Sequence, residues 1–251
     1  NNSIYLDGRD EQAHFNAMDE KLAELGPQDV LLLHGCCHNP TGADLSFEHW
    51  KKIAERAEKQ GFIPFVDIAY QGFGDGLEED CLGLQTIFSE VPEALLAVSC
   101  SKNFGLYRER VGLVVALCAN NSQAAAVQSH FETIVRGIYS MPPDHGAAIV
   151  AQILQSQALT QDWKNELVAM RNRILALRCD FVSGMNQLGV NQFDFVKAQK
   201  GMFSYFGINE QQVAWLAKNK SIYLLRDSRA SIAGLHQDNL PYVCEAMRAV
   251  L

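Results

Sequence analysis

Three polar side chains follow the ends of apolar runs in the first half of the chain, and each is of a type that can do chemistry. Asn39 comes after "VLLLHG", Asp67 closes "FIPFVD", and Lys102 follows "ALLAVSCS" within the stretch Ser99–Arg110, "SCSKNFGLYRER". Tyr70 stands three residues past Asp67, and Ser99, Ser101 and Arg110 bracket the lysine. Alone, such a lysine is a solvated surface charge, and an acid after an apolar strand is a helix cap or a satisfied buried group. Taken together at successive strand ends, they suit a site that holds a carbonyl compound as an imine beside an anion.

Pyridoxal phosphate asks for this set. Its aldehyde needs a lysine, its pyridine nitrogen a carboxylate, its phenolic oxygen hydrogen-bond donors, and its phosphate hydroxyls and a cation. Lys102 can form the imine, and Asp67 can pair with the pyridinium, a positive partner offsetting the cost of burying a carboxylate. Asn39 and Tyr70 can donate to the phenolic oxygen, while Ser99, Ser101 and the forked guanidinium of Arg110 can hold the phosphate. A substrate carboxylate needs a further guanidinium, which Arg229 in "DSRASIAGL" offers.

The elements that position these residues alternate. Short apolar runs and amphipathic stretches succeed one another from residue 30 to 120, with a helix expected over "SFEHWKKIAERAEKQG", capped by Ser46 and closed by Gly61. A short helix is expected around Leu84–Phe88, and "RVGLVVALC" reads as a fourth strand. Strand, helix, strand repetition implies right-handed crossovers and a mostly parallel sheet, with ligands at the carboxyl ends of its strands. Long helices follow over Ser122–Arg136, Pro143–Gln157 and Gln161–Leu188, the last long enough to bridge two domains. Beyond it, "GMFSYFGI", "SIYLL" and "RASIAG" read as short strands around a helix at Asn209–Asn219, and a helix at about Gln237–Val250 closes the chain. The fold class expected is α/β with a small C-terminal α+β domain, divided at 1–171 and 172–251.

The formal charge of −8 and the absence of a Lys/Arg run argue against a nucleic-acid partner. No stretch is apolar enough to span a bilayer, so no membrane partner is expected. Seven scattered cysteines do not form a disulfide framework, and Asn1–Gln12 does not resemble a secretory or transit signal. A cytoplasmic location is expected. His34-Gly-Cys-Cys-His38 invites a metal, but adjacent cysteines do not readily face one tetrahedral ion and no second Cys/His pair follows, so no metal site is expected. The glycines of Gly72–Gly76 do not open a long helix and read as turns, and there is no G-x-S-x-G elbow for a hydrolase.

Five motifs, "HGCCHNPTG", "VDIAYQGF", "SCSKNFGLYRERVG", "GMFSYFG" and "SRASIAGL", resemble the aspartate/aromatic aminotransferases, fold-type I pyridoxal phosphate enzymes, in register from about Ile4 to Leu251. The resemblance implies that Lys102 shuttles a proton once freed, with Asp67 as the pyridinium partner and Tyr70, like Asn39, bound to the phenolic oxygen. It places Asn39 on the phenolic oxygen, Ser99, Ser101 and Arg110 on the phosphate, Arg229 on the substrate α-carboxylate and Phe203 beside that clamp. Arg136, in "IVRGIYSMPPDHG", matches an arginine that reaches into a neighbouring subunit to bind a second carboxylate. A homodimer exchanging amino groups between acidic or aromatic L-amino acids and 2-oxoglutarate is the expectation. Met141 departs from the family pattern, which often carries a small polar residue there. The resemblance also implies that about the first 150 residues of a family member are missing, and with them two early strands and part of the phosphate site. The alternative is therefore a truncated homologue or fragment with weak or no catalysis. Another enzyme of the same fold, such as a lyase or decarboxylase, suits a pair of carboxylate-binding arginines less well.

Overall fold

The computed structural model describes residues 11–251. Most of the N-terminal segment read above for targeting signals, and the start of the family match, lie outside the described residues. Four strands, β1 (Val30–His34), β2 (Ile63–Ile68), β3 (Ala94–Ser99) and β4 (Gly112–Leu117), form one sheet in the order β1-β2-β3-β4. β1, β2 and β3 are parallel, while β4 runs antiparallel to β3. The registers His34 to Asp67 and Asp67 to Ala97 place three neighbouring strand ends side by side, where the sequence pattern expects the ligand crevice.

Crossover helices α2 (Phe47–Gln60) and α3 (Leu82–Glu90) pack on one face of this sheet. α2 begins at Ser46, whose hydroxyl accepts from the His49 amide while the His49 ring accepts from the Ser46 amide, and it ends at the left-handed Gly61. β2 alternates strictly, with Pro64, Val66 and Ile68 buried and Ile63, Phe65 and Asp67 half-buried, so a one-residue slip would turn Asp67 into the core. α1 (Glu11–Leu22) lies against α2, joined by two hydrogen bonds of 2.6 and 2.8 Å from Arg56 to the Asp19 carboxylate, which hold that carboxylate below its ordinary pKa.

Beyond β4 come α4 (Asn121–Ile138), α5 (His145–Gln155) and the 31-residue α6 (Gln157–Gln187). Then β5 (Phe203–Tyr205) pairs antiparallel with β6 (Arg229–Ser231), flanked by α7 (Glu210–Lys220) and α8 (Leu240–Arg248). Phe181 of α6, Phe193 and Phe206 stack and meet edge-on to anchor this half. The expected strand at "SIYLL" is absent: Ser221 closes α7 in the left-handed conformation, Tyr223 is 79% exposed, and Leu225 and Ser228 form a turn. β5 and β6 pair with each other, and "SIYLL" reaches β6 through a single backbone bond among the described residues, from the Leu225 amide to the Arg229 carbonyl at 3.3 Å.

The α2/α3 contact is close at Gly83, where a Cβ would overlap the Trp50 ring. Gly83→Ala gains about 1 kcal/mol of helix propensity but overpacks a bulky ring, which costs about 1–3 kcal/mol. The expected outcome is a net loss of about 1 kcal/mol, read as a lowered urea midpoint with an unchanged m-value.

Candidate functional site

Five of the residues singled out from the sequence form a continuous cluster at the carboxyl ends of β1–β3. The Lys102 ammonium sits over the Tyr70 ring, 4.8 Å from its centroid, and Tyr70 meets Phe203 edge-on at 6.3 Å. Phe203 lies beneath the Arg229 guanidinium at 5.1 Å, and Arg229 Nη1 donates to Asn39 Oδ1 at 2.6 Å. The two halves of the chain are thus brought together here, Asn39, Tyr70 and Lys102 from the sheet and Phe203 and Arg229 from the β5/β6 pair. Burial pushes the Tyr70 phenol above its ordinary pKa of 10, aided by Tyr107 and opposed by Arg229. Lys102 makes no ion pair and Asp67 accepts no side-chain hydrogen bond among the described residues, so an amine and a carboxylate are both left available at adjacent strand ends.

Asp67 has a neighbour that the sequence reading treated only as a metal candidate. His34 is its cross-strand partner, and its Nδ1 accepts the Asn39 amide at 3.2 Å. Burial lowers the His34 pKa, with the Asp67 and Asp44 carboxylates opposing. His38 stacks obliquely on it at 4.5 Å and is held at a pKa of about 4, first by burial and then by His34. A position at the last residue of a strand, opposite Asp67, was the signal that could have found His34.

The remaining predicted residues are placed differently. Ser99 ends β3 and its hydroxyl accepts the Ser101 amide at 3.1 Å, so both serines lie at the turn that carries Lys102. Arg110 is exposed and donates to the Tyr107 carbonyl at 2.9 Å. Arg136 is exposed near the end of α4, with no hydrogen bond or ion pair to any described residue. Neither arginine joins the cluster.

Behind the cluster lie groups the sequence did not mark. The Asp44 carboxylate accepts the Cys37 and His38 amides, both at 2.8 Å, fixing the loop that leads to Asn39. Asp80 accepts four amides, from Gly72, Gly74, Asp75 and Gly76, and so orders the loop after Tyr70. Cys36, Cys37 and Asp80 bring potential ligand atoms within 4.8 Å of one another. Each Asp80 oxygen already accepts two amides, however. The Cys37 thiol is raised well above its ordinary pKa by its hydrogen bond with Cys36 and by burial, while Cys36 is raised by burial against the lowering effect of that bond. The cluster is therefore a packed and hydrogen-bonded one.

The chain belongs to the family of class I and II aminotransferases, whose profile matches residues 5–247. It is 44% identical over 244 residues to an aromatic-amino-acid aminotransferase of Paracoccus denitrificans, covering 97% of this chain and 62% of that one. It is 41% identical over 248 residues to an aspartate aminotransferase of Escherichia coli, covering 98% and 63%. An aromatic amino acid aminotransferase solved with 3-indolepropionic acid superposes with a TM-score of 0.94 at 44% identity, over 98% of this chain and 63% of that one. An aromatic-amino-acid aminotransferase from Burkholderia pseudomallei, covalently bound to pyridoxal phosphate, superposes with a TM-score of 0.92 at 39% identity, over 94% and 60%. The chain thus spans less than two thirds of the length of these relatives. The fold is that of the type I pyridoxal phosphate aminotransferases.

The His34–His38 pair makes stability depend on pH. Because the folded state holds both rings below the unfolded value of 6.5, their contribution is complete above about pH 6.5 and is lost as pH falls toward 4. His38 alone accounts for up to about 3 kcal/mol of that loss. Urea unfolding at pH 7 and pH 5 is expected to show the drop, and His38→Asn to flatten it; an equal drop in the variant would rule this out.

Proposed function

We propose that the protein is a pyridoxal phosphate-dependent aminotransferase that moves an amino group between an acidic or aromatic L-amino acid and 2-oxoglutarate. The observation that carries this reading is the Asn39–Arg229–Phe203 grouping packed against the Lys102–Tyr70 pair, a carboxylate receptor beside an amine.

The donor set fits the cofactor. Lys102 offers an amine with no ion-pair partner, Asp67 a carboxylate with no side-chain hydrogen bond, and Asn39 and Tyr70 polar groups between them. We place Asp67 against the pyridine nitrogen, Asn39 and Tyr70 at the phenolic oxygen, and Ser99, Ser101 and Arg110 at the phosphate. Bound there, pyridoxal phosphate supplies the electron sink for charge developing at the substrate α-carbon. Arg229 grips the substrate α-carboxylate in forked geometry, with Asn39 orienting the guanidinium. Phe203 covers one side of that guanidinium and excludes water from it. Lys102, as a neutral amine, would accept the proton from the substrate α-carbon, and Tyr70, packed against its Nζ, would hold the amine in line. His34, pinned through Nδ1 by the Asn39 amide, is the cross-strand partner of Asp67.

We assign Arg136 to a second carboxylate in the neighbouring subunit of a homodimer, and place the protein in the cytoplasm, which its seven free cysteines support. The domain division is taken at 1–171 and 172–251, with α6 shared between the parts. A second reading, a homologue that binds the cofactor weakly and turns over little, is favoured by Arg110, which is drawn to the Tyr107 carbonyl, and by Arg136, which has no contact with the cluster.

Absorbance of the chain mixed with pyridoxal phosphate separates the two. The expected result is a visible band that Lys102→Ala abolishes and that glutamate discharges. A chain without a Lys102-dependent band does not have the proposed activity. In the active protein, Arg229→Leu is expected to raise KM for the amino acid by about 100-fold, the loss of a bidentate charged contact being worth about 2–3 kcal/mol.

A further inference from the structure

One buried cation has no part in the chemistry above. Arg178, in the middle of α6, is 0% exposed, and no carboxylate pairs with it among the described residues. Its guanidinium instead gathers neutral oxygens from a single stretch of backbone. Nη2 donates to the carbonyls of Lys200 at 3.1 Å, Gly201 at 2.7 Å and Phe203 at 2.7 Å, while Nη1 is bonded to the Ser204 hydroxyl. Nε is buried with no partner. Burial brings the group down to a pKa of about 10, opposed by the nearby Cys37 and Asp44. A residue that served packing alone would be better replaced by an apolar side chain of similar volume, since an unpaired buried charge is costly.

The stretch that Arg178 holds is the one that presents Phe203 and, through the β5/β6 pairing of Tyr205 with Arg229, the guanidinium itself. The same stretch lies directly on the loop that carries Asn39. Lys200 donates its amide to the Gly42 carbonyl at 2.7 Å, a Cβ at Gly42 would come within 2.7 Å of the Phe203 carbonyl, and a Cβ at Gly201 would overlap that of Cys37. On the far side of this contact the Asp44 carboxylate holds the Cys37 and His38 amides. Arg178 and Asp44, opposite in charge, therefore fix two backbone segments that meet between them, and the residues projecting from those segments are Phe203 and Asn39.

We infer that Arg178 is a positioning residue: by gathering the 200–204 backbone against the Asn39 loop, it sets the geometry in which Asn39, Arg229 and Phe203 receive a carboxylate. The inference rests on the reading that this grouping binds the substrate carboxylate. It requires that Arg178 act on carboxylate affinity while leaving Lys102, which is carried by a different strand end, unaffected.

The test is calorimetric titration of the full chain with 3-indolepropionate, a carboxylate without an amino group, in parallel with the pyridoxal phosphate spectrum. Arg178→Met is expected to weaken carboxylate binding about tenfold or more, and Arg178→Lys, which keeps the charge and three donors but not the fork, about threefold. The Lys102-dependent band is expected to keep its amplitude in both. Equal affinity in wild type and Arg178→Met, no carboxylate binding by wild type, or loss of the band in step with affinity overturns the inference. Should Arg178→Met fail to fold, unchanged affinity in Arg178→Lys overturns it. A wild-type chain with no Lys102 band but Arg178-dependent carboxylate binding defeats the proposed activity and leaves this inference standing.

Discussion

The site depends on how the carbonyls at the loop ends of the sheet are satisfied. A parallel strand that stops at its carboxyl end leaves its following loop without ladder partners, and buried carbonyls left bare cost as much as lost hydrogen bonds. In this chain one helix supplies the missing donors. Along α6, Trp163 Nε1 donates to the Asn103 carbonyl at 2.7 Å, Arg171 to that of Gly72 at 3.2 Å, and Arg178 to those of Lys200, Gly201 and Phe203. These are the loops after Lys102, after Tyr70 and before Phe203. A single rigid rod thereby holds three separate loops in one frame, and Trp163 reinforces its grip by stacking on Phe104 at 4.3 Å.

Acids play the complementary part for the amides. Asp80, which is buried, collects four N–H groups and Asp44, which is half-buried, two, positions where a carboxylate is tolerable because several dipoles converge on it. For Asp44, burial still outweighs the two amides and raises its pKa. Lys200 then ties the two systems together, pairing with Asp75 in the loop that Asp80 orders while its backbone is held by Arg178. Loop backbone is fixed in this way by charged groups that stand outside the Lys102–Arg229 cluster.

How much of this was legible in the sequence follows from the range of the interactions. Asn39, Asp67 and Lys102 were readable because each follows an apolar run, a local pattern that alternation makes plain, and Ser46 and Gly61 were readable as the ends of α2 for the same reason. Arg229, far from Lys102 in sequence, was reachable only as a spare guanidinium suited to a substrate carboxylate, and Phe203 came only through the resemblance. Arg178 was not legible at all. It is one of several arginines on a long helix, and what distinguishes it is burial against carbonyls more than 20 residues further on. "SIYLL" misled because β propensity describes a residue's fit to a pleated surface, and this segment leaves the left-handed Ser221 and turns at Leu225–Ser228 instead of running along β6.

The contrast between Arg229 and Arg136 shows where that internal frame ends. Arg229 is held by Asn39, by the Phe203 ring and by a strand whose partner is braced from α6, so its direction is fixed by the chain itself. Arg136 lies on α4, a helix with no buried residue, whose Ile134 and Ile138 stand 54% and 71% exposed near the similarly exposed Met141. An amphipathic helix with its apolar stripe uncovered contributes little packing energy to hold a side chain in place. On the proposed reading, the two ends of a dicarboxylate are therefore recognised by different means. The α-carboxylate meets a receptor already assembled from residues 39, 203 and 229, whereas the distal carboxylate meets an arginine whose geometry must be supplied by whatever surface covers α4.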